Sequence, residues 1–384
     1  MTLLLIIIYI SFISLGLPDA LLGASWPIMH LEFGVPVSMA GIVSLTLSAG
    51  TVVSSLMSDR LTLKLGSGKV TAISVAMTAA ALLGFSMSHE YWQMLLWAIP
   101  MGLGAGSVDA SLNNYVAVHY ASRHMSWLHC MWGLGASLGP YILSAALAGG
   151  LRWNMGYRYI AIFQACLTAV LVLSLPLWKK RGQGTLGENG QPRAPLRLRE
   201  IFQIPGAKEI LIAFFCYCAA EQTAILWGST YLVRHSGLDE EAAAGFASLF
   251  LIGITVGRGL NGFLTYKLSD KALIRLGSGI MLLGVFFMLL PLGAYGAMAG
   301  LLLIGLGCAP IYPCVIHSTP AHFGEENSQA IIGVQMAAAY IGVCAMPPLF
   351  GLIANHITVS LLPWYIGAIT VLMILICEKL NRKH

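Results

Sequence analysis

Three carboxylates stand where a carboxylate is costly. Asp19 interrupts the run 3–29, which holds no other charged side chain, Asp109 lies within the apolar run 92–116, and Glu221 lies within 209–232. Each falls near the middle of a stretch long enough to cross a bilayer, where an acid costs about 2.5 to 3.5 kcal/mol on insertion scales. The other thirteen of the sixteen acids fit in loops, at helix ends or at the C-terminus. Desolvation favours the neutral form of a carboxyl, and a second acid nearby adds to that effect. An acid balanced in this way can take a proton from one side of a membrane and lose it to the other. A structural use, by pairing with Arg258 or capping unwound backbone, is the alternative reading of each.

The neighbours of these acids could build a polar cavity. In VDASLNNYV, Asp109 and Asn113 are four apart and share a helix face. Gly102, Gly104 and Gly106 just before them allow another helix to approach closely. Gln222, Trp227 and Tyr231 follow Glu221, and Trp26 follows Asp19. Amides and carboxylates that fix orientation, with aromatic faces for apolar contact, suit a hydroxyl-rich solute. An interfacial aromatic belt is the other reading of Trp26, Trp227 and Tyr231. His129 reads either as a structural hydrogen-bonding group or as part of a proton relay. Arg258 either snorkels or pairs with a group on the seventh or tenth span.

The elements that must hold these groups are membrane helices. Of 384 residues 57% are hydrophobic and only 10% charged, and the mean hydropathy is +0.78, far from soluble composition. With about 20 apolar residues needed per crossing, twelve spans are expected, at 3–28, 37–57, 69–88, 92–116, 125–149, 155–178, 209–232, 242–264, 272–292, 294–316, 327–354 and 358–377. Seventeen of the twenty-one Lys and Arg fall on the side that holds both termini, so both termini are expected in the cytoplasm. The net charge of +5 reflects that bias and does not point to nucleic acid. The first run lacks a basic leader and a cleavage site and is read as a retained helix. All eight cysteines fall within spans and read as small apolar fillers; no Cys or His has zinc-ligand spacing.

The polar, Gly/Pro-rich and basic segment 179–206 reads as a linker, leaving six spans in 1–178 and six in 207–384. The halves echo one another. Asp19 then Trp26 matches Glu221 then Trp227, and GLGA at 102–105 matches GLGC at 305–308. A parallel repeat with a midplane site is a transporter plan, in which Asp19, Asp109 and Glu221 would line one cavity between the halves. A membrane enzyme would need a nucleophile or base beside an orienting partner and room for a second substrate, and neither is evident. No phosphate-binding loop of the Walker type is present.

SSLMSDRLTLKLGSGKV at 54–70 is similar to the G-x-x-x-D-R-x-G-R-[KR] signature of the major facilitator superfamily. Asp59 and Arg60 match it, while Ser55, Thr62 and Leu63 replace its Gly, Gly and Arg. GRGLNGFLTYKL at 257–268 resembles a weaker second copy. GLGAGSVDASLNN, WLHCMWGLGASLGP, YCAAEQTAILWGSTYL and GLGCAPIYP together resemble the branch of sugar-type carriers that includes fucose:proton symporters. The resemblance implies an all-α membrane protein of twelve transmembrane helices in two pseudo-symmetric six-helix bundles. It implies a proton-coupled secondary transporter of the inner membrane, working by alternating access as a monomer, with a small polar solute and protons as partners and with no cofactor or metal. It places Asp19, Asp109 and Glu221 at acid positions suited to proton coupling, and Asp19, Asp109, Asn113, Trp227 and Tyr231 about the solute, to which the reading of the residues adds Trp26 and Gln222. It puts Asp59 and Arg60 in a gating loop. GASLGP at 135–140 is similar to a motif of antiporters, which keeps a drug or lipid efflux antiporter as the alternative.

Overall fold

The structure is a computed structural model that describes residues 2–179 and 194–383. Most of the segment expected as a linker, including Lys180, Arg181 and Arg193, lies outside the described residues. Among the described residues every regular element is helical. In chain order these are α1 (Thr2–Gly16), α2 (Leu21–Glu32), α3 (Ala40–Leu65), α4 (Ser67–Ser86), α5 (Tyr91–His119), α6 (Ser122–Ala148) and α7 (Trp153–Lys179). The short α8 (Leu198–Ile201) is followed by α9 (Ala207–Arg234), α10 (Glu240–Leu264), α11 (Asp270–Leu289), α12 (Gly293–Phe323), α13 (Glu325–His356) and α14 (Leu362–Asn381). Eleven stretches are long and apolar enough to cross a membrane, counting α1 and α2 as one, and a shorter apolar stretch, Phe250–Leu264, ends α10. Eleven of the twelve expected spans are therefore present at full length among the described residues, and α10 stands where the eighth, 242–264, is expected.

The first of them is not one helix. Pro18 has no N–H to give to an α-helical ladder, and its ring crowds the preceding turn. The helix stops at Gly16, and tighter bonds carry the chain across, from Asp19 N to Gly16 O at 3.0 Å and from Leu21 N to Pro18 O at 3.1 Å. Asp19 sits in that break. Proline alone does not explain it, since Pro100, Pro140 and Pro176 lie inside unbroken α5, α6 and α7. Elsewhere glycine makes the joints. Gly66, at φ +80°, alone separates α3 from α4, and Gly324, at φ +82°, alone separates α12 from α13.

The chain packs as two compact units. One comprises Met1–Tyr115, Leu128–Leu196 and Glu325–Ala337, and the other comprises Val116–Trp127, Arg197–Gly324 and Ala338–His384. Each therefore includes a segment from the opposite half of the sequence. In the first unit the start of α13 packs on α3 and α5. Gln329 Nε2 donates to Ser58 Oγ at 3.3 Å and Ser328 Oγ to Asn114 Oδ1 at 2.5 Å. In the second, Asn261 Nδ2 on α10 donates to Ser126 Oγ on α6 at 2.8 Å, and Trp127 Nε1 donates to Gly259 O at 3.3 Å.

Lipid tails are as apolar as leucine, so helices in a bilayer gain little by hiding side chains and associate through close packing. The core of the first unit joins Leu21, Trp26, Met29, Phe85, Met94 and Tyr157. In the second, α11 and α12 meet along a glycine seam, in which a Cβ on Gly277 would come 2.5 Å from Gly307 O and one on Gly284 would come 2.6 Å from Gly300 O. None of the eight cysteines is in a disulfide, and Cys216, Cys218, Cys308 and Cys314 are buried.

Candidate functional site

The first unit gathers Asp19, Asp109 and Asn113 around one face of α6. Asn113 Nδ2 donates to Asp109 Oδ1 at 2.7 Å, as their four-residue spacing on α5 requires. The other end of the same amide, Oδ1, lies 3.0 Å from His129 Nε2 on α6. All three side chains are buried. One turn further along α6, Trp132 Nε1 donates to Asp19 Oδ2 at 2.7 Å. Asp19 itself is exposed, and the Phe12 ring on α1 stands perpendicular to that of His129 with centroids 5.4 Å apart.

Glycines set this geometry. Gly135 and Gly139 bring the backbone of α6 against the carbonyls of Ile13 and Leu17, so close that a Cβ at either would overlap the oxygen. The GASLGP run thus seats α6 on the end of α1, beside the break that holds Asp19. On α5, Gly102 and Gly106 abut the α3 carbonyls of Leu47 and Thr51, and Gly104 abuts Ser74 O on α4. These contacts fix α5 along its length up to Asp109.

In the second unit Glu221 is paired. Arg258 Nη2 on α10 lies 3.0 Å from Glu221 Oε1 on α9, and the arginine is 3% exposed against 15% for the glutamate. Tyr217, one turn before Glu221, accepts from Arg258 Nη2 at 3.4 Å and donates to Cys308 O at 3.1 Å. The guanidinium lies over the Tyr312 ring, 5.5 Å from its centre. Of the two readings of Arg258, the structure realises the pair with the seventh span. Gln222 is half-buried, and among the described residues its amide has no hydrogen-bond partner.

The aromatic residues expected near a solute use their polar atoms locally. Trp26 is buried and donates to Val37 O at 2.7 Å. Trp227 donates to Pro347 O at 2.9 Å and packs edge-on to Phe350. Tyr231, fully buried, donates to Met288 O at 3.3 Å. Asp59 and Arg60 are not in a loop as expected. Both lie within the last two turns of α3, because the helix runs on to Leu65 and stops only where Gly66 adopts positive φ. Asp59 is buried and accepts from Leu196 N at 3.2 Å, while Arg60 is exposed.

Two groups went unread in the sequence. One is Trp132, whose only signal is its three-residue spacing from His129. The other is a cluster in the second unit, where His317 on α12 places Nδ1 2.6 Å from Asp270 Oδ2 and Nε2 3.1 Å from Tyr120 O. Ser122 Oγ bonds the other oxygen of Asp270. No pattern along the chain joins those positions. Among the described residues no group of three or more His, Cys, Asp or Glu could hold a metal ion.

A set of apolar spans, a first span broken at an acid and buried polar groups on facing helices suit a solute carrier. Residues 8–347 match the family described as Major Facilitator Superfamily. The chain belongs to the Major Facilitator Superfamily. It is accordingly a multi-pass membrane transporter and not an enzyme. It is 24% identical over 419 residues to Bypass of stop codon protein 6 of Saccharomyces cerevisiae, covering 98% of this chain and 82% of that protein. It is 21% identical over 383 residues to the Glucose/mannose transporter GlcP of Bacillus subtilis, covering 97% and 94%. A solved structure of the E. coli fucose:proton symporter FucP superposes with a TM-score of 0.74 at 14% identity, covering 98% of both chains. That superposition gives the fold, a major facilitator arrangement of transmembrane helices.

Proposed function

We propose that this chain is a proton-coupled secondary carrier that moves a sugar or similar small polar solute across the cell (inner) membrane by alternating access. In this reading it works as a monomer, with two six-helix halves, 1–178 and 207–384, and both termini in the cytoplasm. Asp19 and Asp109 carry the proton, and Asn113 and Gln222 offer amide hydrogen bonds to the solute. Glu221 is committed to Arg258 in this structure and is assigned to holding that cation. The observation that carries the reading is the α6 face that serves both span-centre acids of the first unit, Asp19 at the Trp132 N–H and Asp109 by way of the Asn113 amide that lies against His129. Span-centre acids are costly, and two on one polar face are well suited to exchanging protons. The likeness to a glucose and mannose transporter and to a fucose:proton symporter supports the solute class.

The test is uptake by purified protein in proteoliposomes, with and without a pH gradient, against labelled sugars, sugar acids and amphiphilic drugs. The reading expects gradient-driven accumulation of a hydroxylated solute. Transport of amphiphilic drugs alone would replace it with an efflux antiporter, the reading that the GASLGP run favours.

A further inference from the structure

His129 and Trp132 lie three residues apart on α6, His129 against the Asn113 amide that holds Asp109 and Trp132 against Asp19. The donor and acceptor inventory fixes what each can do. An ionised carboxylate only accepts, so the Asp109 oxygen must meet the NH2 end of the Asn113 amide. That turns the amide oxygen toward His129 Nε2, and since an amide oxygen also only accepts, Nε2 must carry a hydrogen. The orientation of Asn113 is thus set from both ends. A protonated Asp109 that turned its O–H toward Asn113, rather than its carbonyl oxygen, would meet the amide oxygen instead. Asn113 would then have to turn over and present its NH2 to His129, which would have to offer a lone pair. Trp132 is simpler, because an indole N–H only donates, and it meets Asp19 Oδ2 at 2.7 Å.

We infer that His129 and Trp132 are positioning residues of the carrier site, with α6 supplying Trp132 directly to Asp19 and His129 through a reversible Asn113 amide to Asp109. The inference rests on the proton-carrier reading and adds to it the residues that set the state of each acid. Around the His129 ring stand Asn113 and behind it Asp109 from α5, and the perpendicular Phe12 ring from α1. Cys130 is its neighbour on α6, and Asp19, bonded one turn along at Trp132, is the other acid of the set. The close seating of Gly135 and Gly139 on Ile13 and Leu17 keeps this face of α6 from sliding.

The proton itself is the probe. Infrared difference spectra of the purified protein in lipid bilayers, recorded across pH, report carboxylic C=O bands, which Asp109→Asn and Asp19→Asn assign by loss. In His129→Leu, which keeps bulk but has no donor, Asn113 is free to offer its oxygen. Asp109 should then hold its proton about ten-fold more tightly, moving the midpoint of its band by about one pH unit. His129→Gln can still donate an N–H to Asn113 and should restore the wild-type midpoint. Trp132→Phe should move the Asp19 band and leave the Asp109 band in place. Thermal unfolding checks that the variants fold, with His129→Ala in reserve. Equal midpoints in His129→Leu and wild type, or an Asp109→Asn spectrum that loses no band, would overturn the inference. The carrier reading fails separately, if wild-type protein with the expected spectra accumulates no polar solute on a pH gradient.

Discussion

Glu221 and Arg258 show why pairing has to be read from structure. An acid at the centre of an apolar run was legible as a costly group, and so was an arginine in the eighth span. Which of them meet depends on the rotation of α9 against α10, and the sequence pattern leaves that open. Breaking a buried pair from one side leaves an uncompensated charge, which costs about 3 to 5 kcal/mol. Arg258→Met should therefore lower the unfolding temperature sharply, and adding Glu221→Gln to it should recover most of the loss, as read by thermal denaturation in detergent. A similar contrast separates Tyr231 from Asn113. Tyr231 is buried with its hydroxyl on Met288 O, so Tyr231→Phe should lose about 1 kcal/mol of stability and leave solute binding unchanged. Asn113→Ala should weaken binding by about 1 to 3 kcal/mol, the cost of a partner left unsatisfied, measured by calorimetric titration. Asp109 and Asn113 were readable together because helical spacing alone brings them into contact. Trp132 and Asp19 were not, because 113 residues separate them.

Helices were the most legible elements, because length and hydropathy are properties of the chain itself. Eleven spans, and the helix α10 in the place of the eighth, stand close to where the apolar runs put them. The break at Asp19 was less visible, since a hydropathy window registers side chains and not the missing N–H of Pro18. The run-on of α3 past Asp59 and Arg60 was hidden for a related reason. Charged residues near a membrane face read as a loop, although a helix carries them equally well until a glycine with positive φ ends it. The glycines of GASLGP were legible as a motif, while their packing task required the structure. Gly135→Val would drive a side chain into Ile13 O, and overpacking of this kind costs about 1 to 3 kcal/mol or more. It should reduce the yield of folded protein and lower its unfolding temperature. Gly41→Ala, on α3 with nothing within 4 Å of its added Cβ, should be neutral or gain up to about 1 kcal/mol from helix propensity. Equal effects of the two would show that α6 does not seat on α1 in this way.

As a whole the molecule is a transporter of the Major Facilitator Superfamily with costly acids at the middle of its spans, and the proposed proton coupling would give that cost a use. Moving one charge across 100 mV is worth about 2.3 kcal/mol, enough for roughly a fifty-fold concentration ratio, so one proton per cycle would suffice to drive accumulation. The class was legible from composition, and the superfamily from a partial signature around Asp59 and Arg60. The solute was not legible, because amide and aromatic groups suit many hydroxylated compounds. The decisive comparison is wild type against Asp19→Asn in proteoliposomes, using the solute found in the transport screen and reading both gradient-driven accumulation and solute exchange at equal pH. Proton coupling through Asp19 predicts that the variant loses accumulation while exchange and binding persist. Accumulation at the wild-type level in Asp19→Asn would contradict it.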